Sequence, residues 1–233
     1  MNARYYVIYS LGYMTLYPKF VCAGIIEGSD DYSEHCKPSY FCEAANKIDW
    51  TIDWNAPTSL TNLMSKYKMY CDSSLLIGAF GSAYFAGYSL GSIIIPPISD
   101  KKGRKYVFLA CHFVQAITAI ILIVLPSAHS YIYVIIFLFL ITGMTSGGLA
   151  PIGFIMMCDF AQKKHRFVLG TIKSFSEHTV YILLTVYFKH MDKDWVIPEI
   201  FGIVTGSIAI IWVMIAPESA KWLFEKEMYH ECL

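Results

Sequence analysis

The chain has 233 residues, 56% of them hydrophobic and 15% charged, with 18 Lys and Arg balanced by 18 Asp and Glu. A soluble domain carries roughly 25% charged residues, so much of this surface faces something other than water. The zero net charge excludes a nucleic-acid partner drawn in by a global positive field. The sequence holds no G-x-x-x-x-G-K-[ST] loop, H-E-x-x-H helix or G-x-S-x-G elbow. It therefore reads as neither an ATP-driven pump nor an enzyme, with no cofactor and no metal expected.

A membrane-crossing helix needs about 20 mostly apolar residues. Taken in chain order, six stretches meet this need, one of them weakly. The first, residues 5–26, has an apolar part of only 5–17 before Pro18 and Lys19, so a clipped or partly interfacial helix is expected. The start, Met1-Asn-Ala-Arg4, runs into it without a small-residue cleavage site, which reads as a retained helix. Five stronger spans follow at 75–98, 106–126, 131–158, 167–188 and 195–216. The expected organisation is a first helix over 1–26, a polar segment over 27–74, helices two to six over 75–216 and a tail over 217–233. That is an all-α, multi-pass integral membrane protein whose solvent is the lipid bilayer.

Lys and Arg beside the spans set the orientation. Lys101, Lys102, Arg104 and Lys105 follow span two; Lys163, Lys164 and Arg166 follow span four; Lys221 and Lys226 follow span six. The alternate turns are poorer, with none at 127–130, and with Lys189 and Lys193 offset by Asp192 and Asp194 at 189–194. Both termini are thus expected on the cytoplasmic side, of either a plasma or an organelle membrane. The segment 27–74 then lies on the far side. It is acidic, with Glu27, Asp30, Asp31, Glu34, Glu43, Asp49, Asp53 and Asp72, and it holds Cys36, Cys42 and Cys71 with Cys22 at its entrance. Four such cysteines suit two disulfides in any of three connectivities. A zinc site and free thiols are the alternatives, and the lack of paired C-x-x-C spacings speaks against zinc. Cys111, Cys158 and Cys232 read as small apolar fillers or free thiols.

Three segments at the basic ends of the spans carry chemistry. Asp100-Lys-Lys-Gly103-Arg104-Lys105 holds one carboxylate among cations at a turn that Gly103 permits. Asp159 and Arg166, seven residues apart, flank the loop after span four and suit a latch between helix ends. Pro217-Glu218-Ser219-Ala220-Lys221-Trp222-Leu223 stops span six, offers an anion at the same face and sets a Trp at the interface. In order and placement these resemble the D-x-x-G-R-K loop, the E-x6-R loop and the P-E-S-P-R-W-L segment of the sugar-porter and organic-ion-transporter branch of the major facilitator superfamily. The organic-ion branch also has a long Cys-containing loop between its first two helices, similar in style to Asp53-Trp54, Ser59-Leu60 and Tyr70-Cys71-Asp72 here. The resemblance runs from about residue 19 to 223. The departures are Pro96 for a Gly, Asp159 for a Glu one methylene longer, and Ala220-Lys221 for Pro-Arg.

The resemblance implies half of a major facilitator fold, six helices arranged as two three-helix repeats. Substrate binds near the midplane between two such halves, which rock against each other. It further implies a cytoplasmic gate or charge network of Asp100, Gly103, Arg104, Lys105, Asp159, Arg166 and Glu218, with Asp100 also engaging the second half. One expectation is carriage of a small organic solute, an organic ion or sugar-like molecule, down or with a gradient. This needs a second six-helix half, as a second copy or a separate chain. The alternative is a transport-incompetent, transporter-like structural subunit of a larger membrane assembly. The short first helix favours the alternative, and the preserved charge loops favour transport.

Ionisable residues inside a span face a cavity or a partner. Span five holds Lys173, Glu177 and His178. At about 1.5 Å per residue, Glu177 lies roughly 15 Å in from Phe167, near the midplane. Lys173 and Glu177 share a face. They read either as a site for a cationic substrate or a proton, or as a structural pair with Lys173 reaching for the interface. His112 and Gln115 in span three read as internal hydrogen-bonding groups. The small residues of span four, Gly143 to Gly153, read as a surface for close helix approach, with Pro151 permitting a kink.

Overall fold

The computed structural model of the chain describes residues 3–23, 36–42, 49–225 and 227. The acidic residues Glu27, Asp30, Asp31, Glu34 and Glu43, and Lys226 and Cys232 of the tail, lie outside the described residues.

Helix α1 (Ala3–Met14) has 12 residues, a length of about 18 Å that falls short of a hydrocarbon core of about 30 Å. The helix expected over 5–26 is therefore shorter than its apolar run. Its end has a chemical cause: the Asn62 amide donates to the carbonyls of Tyr13 and Leu16, both at 2.8 Å, holding the chain in the turn that follows the helix. Pro18 then bars a return to helix, and β1 (Phe20–Ala23) begins.

The polar segment is not a bare loop. After the four-residue α2 (Ser39–Cys42) comes β2 (Asp49–Ile52), which pairs antiparallel with β1, Phe20 opposite Ile52 and Ala23 opposite Asp49. Disulfides join Cys22 to Cys36 and Cys42 to Cys71, which selects one of the three connectivities and replaces the zinc and free-thiol alternatives. Phe20, Phe41, Trp50 and Tyr70 pack ring on ring beside them, at centroid distances of 4.6–5.5 Å. This patch and α3 (Leu63–Lys66) sit on the helix ends. The Lys66 ammonium donates to the carbonyls of Leu122 and Ile123 at 3.3 and 3.0 Å and lies over the rings of Tyr67 and Trp195. Burial lowers its pKa from the usual lysine value. Lys193 reaches across to the carbonyl of Ala56 at 2.9 Å.

Five long helices follow: α4 (Ser74–Lys102), α5 (Arg104–Val124), α6 (Ile132–Asp159), α7 (Arg166–His190) and α8 (Val196–Ile215). Each begins and ends within about four residues of the span read from the sequence. Ser73 caps α4 by accepting from the Leu76 N–H at 3.3 Å. The short α9 (Ala220–Glu225) closes the order. Among the described residues, α4, α5, α6 and α8 are long and apolar enough to cross a membrane. Helix α7 matches them in length but carries the Lys173–Glu177 pair. Leu75, Ile93, Phe167, Phe175, Trp212 and Ile215 stand exposed, as suits helices whose outer faces meet lipid.

Helices α4 and α6 make the tightest contact. Cβ atoms added at Gly87 and Gly91 would lie 2.1 and 1.9 Å from the carbonyl oxygens of Leu140 and Met144, and at Gly143 and Gly147 they would lie 2.0 and 2.2 Å from those of Tyr84 and Tyr88. Backbones this close admit no side chain, and in lipid such contact does the work that hydrophobic burial does in water. Pro96 and Pro97 sit inside α4 beyond this contact without ending the helix. We expect Gly91→Ala to cost about 1–3 kcal/mol or more through overpacking, read as a lower unfolding temperature in detergent. Gly78→Ala, with nothing within 4 Å of the new methyl, is the control and is expected to be neutral or mildly stabilising.

Candidate functional site

The three charged segments converge at one end of the bundle, opposite the disulfides. Gly103, at φ +103°, lets α4 pass into α5 in a single residue. The turn aims the Arg104 side chain inward, where it is 8% exposed. Its guanidinium donates to Asp159 Oδ2 at 2.5 Å and to Asp100 Oδ1 at 3.3 and 3.4 Å. The two carboxylates are not equivalent. The Asp159 side chain is 6% exposed and that of Asp100 is 61% exposed, so the bond to Asp159 is the buried one, and that to Asp100 contributes only about 0.3–0.5 kcal/mol. Ser219 Oγ also donates to Asp159 Oδ2, at 2.6 Å.

Glu218 fills a different role. Both its oxygens accept the Lys105 N–H, at 3.1 and 3.2 Å, placing an anion on the unsatisfied amides and positive dipole end of α5. A Cβ on Gly103 would come within 2.9 Å of Glu218 Oε2 and push that carboxylate aside, while the backbone angle is what calls for a glycine. Lys105 reciprocates, its ammonium donating to the carbonyls of Met214 and Ala216 at 2.9 and 2.7 Å, the end of α8. Trp222 Nε1 donates to the Asp100 carbonyl at 2.9 Å. Six of the seven expected residues thus meet. Arg166 does not: it is exposed at the start of α7 and, among the described residues, makes no ion pair. The latch partner of Asp159 is Arg104, because Asp159 ends α6 facing the bundle while Arg166 opens α7 outside it.

Within the helices, Lys173 and Glu177 form an ion pair one turn apart on α7, with the Lys173 ammonium 6.0 Å from the Phe154 ring centroid on α6. Glu177 is buried. His178 does not join them: it is exposed, with Nδ1 2.7 Å from the Ser174 carbonyl of its own helix. A polar seam runs between α5 and α6, where Gln115 Nε2 donates to Ser146 Oγ at 3.2 Å and Thr142 donates to Thr118 at 3.2 Å. Sequence reasoning missed Glu199, which lies one turn into α8, is 2% exposed and accepts from Ser10 Oγ at 3.0 Å. The signal was present as a lone acid in an apolar span directly after Pro198. Among the described residues no group of three His, Cys, Asp or Glu side chains is placed to hold a metal ion.

Comparison with known proteins places this geometry in context. A family model described as "Sugar (and other) transporter" matches residues 5–232. The organic cation transporter protein of Drosophila melanogaster is 28% identical over 167 residues, covering 72% of this chain and 30% of that protein. Human solute carrier family 22 member 2 is 23% identical over 180 residues, covering 77% of this chain and 32% of that protein. A solute carrier family 22 member 15-like protein of Xenopus tropicalis is 23% identical over 187 residues, covering 78% and 36%. The chain thus spans about a third of the length of these relatives.

Removing Asp159 leaves a buried guanidinium without its strongest partner. Asp159→Ala is expected to cost about 3–5 kcal/mol, measured as a fall in unfolding temperature in detergent. Arg166→Ala is expected to change stability by less than about 0.5 kcal/mol.

Proposed function

The chain belongs to the sugar (and other) transporter family, in the sugar-porter and organic cation transporter branch of the major facilitator superfamily, and from that premise we propose that it is the amino-terminal six-helix half of a carrier of small organic solutes. The observation that carries this reading is the charge cluster. Segments more than 50 residues apart, ending α4, α6 and α8, close on one another through Arg104, Asp159, Ser219 and Glu218. A cluster of ion pairs and helix-terminal contacts at one membrane face can be made in one state and broken in another, which is what a rocking carrier needs.

The remaining details follow from this. In this reading α7, at 25 residues, crosses the membrane, and α1 is a clipped first helix that enters it without crossing, so that the six helices form two repeats of three. The face bearing Lys101, Lys102, Lys105, Lys163, Lys164 and Lys221 is cytoplasmic by the positive-inside rule, and the disulfides lie on the non-cytoplasmic side. Glu177, held by Lys173, is the candidate contact for a cationic group of the solute or for a coupled proton, and His178 stands apart from it. A second six-helix half supplies the opposite wall of the substrate cavity, whether in the same polypeptide, a second copy or another chain. One observation favours a different reading: α1 has 12 residues, too few to span, which suits a transporter-like subunit retained as structure in a larger assembly.

The native particle in nanodiscs, with subunits identified by mass spectrometry and uptake measured for a panel of organic cations, organic anions and hexoses, separates the two. The carrier reading expects one further six-helix unit and saturable uptake of a panel member. It expects Glu177→Gln to abolish that uptake with membrane insertion intact, and unchanged uptake would remove Glu177 from the site. A large assembly of unrelated subunits without uptake overturns the carrier reading in favour of the structural one.

A further inference from the structure

We propose that Glu199 is a proton-binding site inside the bundle, held between α1, α5 and α8 and separate from the Lys173–Glu177 pair. It goes beyond the carrier reading: proton binding needs only this bundle, and its coupling to a solute is what rests on that reading. Three observations carry it. The carboxyl group is buried among apolar helices, with Ser10 donating to one of its oxygens and, among the described residues, no Lys or Arg paired with it. It lines a cavity of about 30 Å³ together with Gln115 and His112 of α5, enough for one or two water-sized groups. Gln115 is 7% exposed, its Nε2 is committed to Ser146, and its Oε1 is a buried acceptor with no hydrogen-bond partner among the described residues.

Gln115 and Glu199 line one small cavity, and an amide oxygen and a carboxylate are both acceptors, so in a low-dielectric interior a donor shared by the two satisfies both. A proton on Glu199 supplies it. The carboxyl O–H then donates to Gln115 Oε1, directly or through one water, and the bundle no longer carries an unpaired charge. Loading forms one O–H bond on Glu199 with a proton taken from water or buffer, whose conjugate base stays outside. Release is the reverse, and no electrons move. A hard metal cation fits less well, because such ions take about six oxygen ligands and this cavity offers chiefly the carboxylate and one amide oxygen.

Among the described side chains, the titratable groups facing Glu199 from its neighbours are few. Helix α5 brings His112, whose ring packs edge-on against Phe108. Of the described tyrosines of α1, Tyr9 and Tyr13 turn to α7 instead, their rings packing on Tyr181 and Phe188. From α6, Leu138, Phe139 and Thr142 line a smaller adjoining space and bring no titratable group. Helix α8 adds no other acid or base beside Glu199.

Infrared difference spectroscopy of the purified protein in nanodiscs, titrated with pH in H2O and in D2O, tests the site without reference to transport. The expected result is a carboxylic-acid C=O band that titrates and shifts in D2O, is missing from Glu199→Gln, survives in Glu177→Gln and changes frequency in Gln115→Leu. No such band in the wild type, or one kept by Glu199→Gln, overturns the proposal. If Glu199→Gln does not fold, Gln115→Leu decides, and an unmoved band is then the contrary result. A saturable rise in unfolding temperature with Na⁺ at fixed pH, absent with choline and lost in Glu199→Gln, also overturns it, in favour of a metal-cation site. Solute uptake is scored separately, so a failed carrier reading leaves this result interpretable.

Discussion

A guanidinium cannot be buried alone, and the organisation of one end of this bundle follows from that constraint. Arg104 is 8% exposed, and the charge it carries is held by Asp159 at the end of α6 and steadied by Asp100 one turn back on α4. Because Asp159 also accepts from Ser219, the segment after α8 is drawn into the same cluster. Glu218 and Lys105 then cross-cap α5 and α8, each side chain satisfying main-chain groups of the other helix's end. Four helix ends are fixed by a handful of charge-assisted bonds, each stronger for being partly dry.

The opposite end is held by different means. There the chain between α1 and α4 folds back as a disulfide-linked patch with its own aromatic core. Three polar side chains anchor it to the helix ends: Asn62 on α1, Lys66 on α5, and Lys193, from the turn before α8, reaching into the patch. Each donates to backbone carbonyls at the end of a helix or in a turn. Between the two ends the α4–α6 glycine contact supplies the rigid centre. A charged clamp at one face and a covalently braced cap at the other thus hold the helices together from both ends.

Much of this was legible in the sequence, and the gaps have physical causes. Apolar runs of about 20 residues have one stable form in lipid, so α4 to α8 fall close to the predicted spans. The charged loops declared themselves by composition, but their pairing did not: Asp159 and Arg166 are close in sequence, whereas Asp159 and Arg104 are brought together only by the packing of α5 on α6. The four cysteines predicted two disulfides without their connectivity, which depends on tertiary contacts such as the backbone bridge that sets Cys36 beside Phe20 of β1. That ribbon was itself hidden, since four-residue strands are too short for alternation to register. Helix α1 ends early through Asn62, a tertiary contact 46 to 49 residues away in sequence. Glu199 sat in plain view within an apolar span, and only its burial against Ser10 and Gln115 separates it from an acid at the interface.

The most direct test of the clamp is charge reversal across its buried bond. Arg104→Asp and Asp159→Arg each place two like charges together in a dry site, and the double exchange restores one pair of opposite charges. Unfolding temperatures measured in nanodiscs are predicted to fall sharply in each single variant and to recover by a substantial part in the double variant. If the two losses simply add, or if neither single variant is destabilised, the Arg104–Asp159 bond is not what holds these helix ends together, and the account built on it fails.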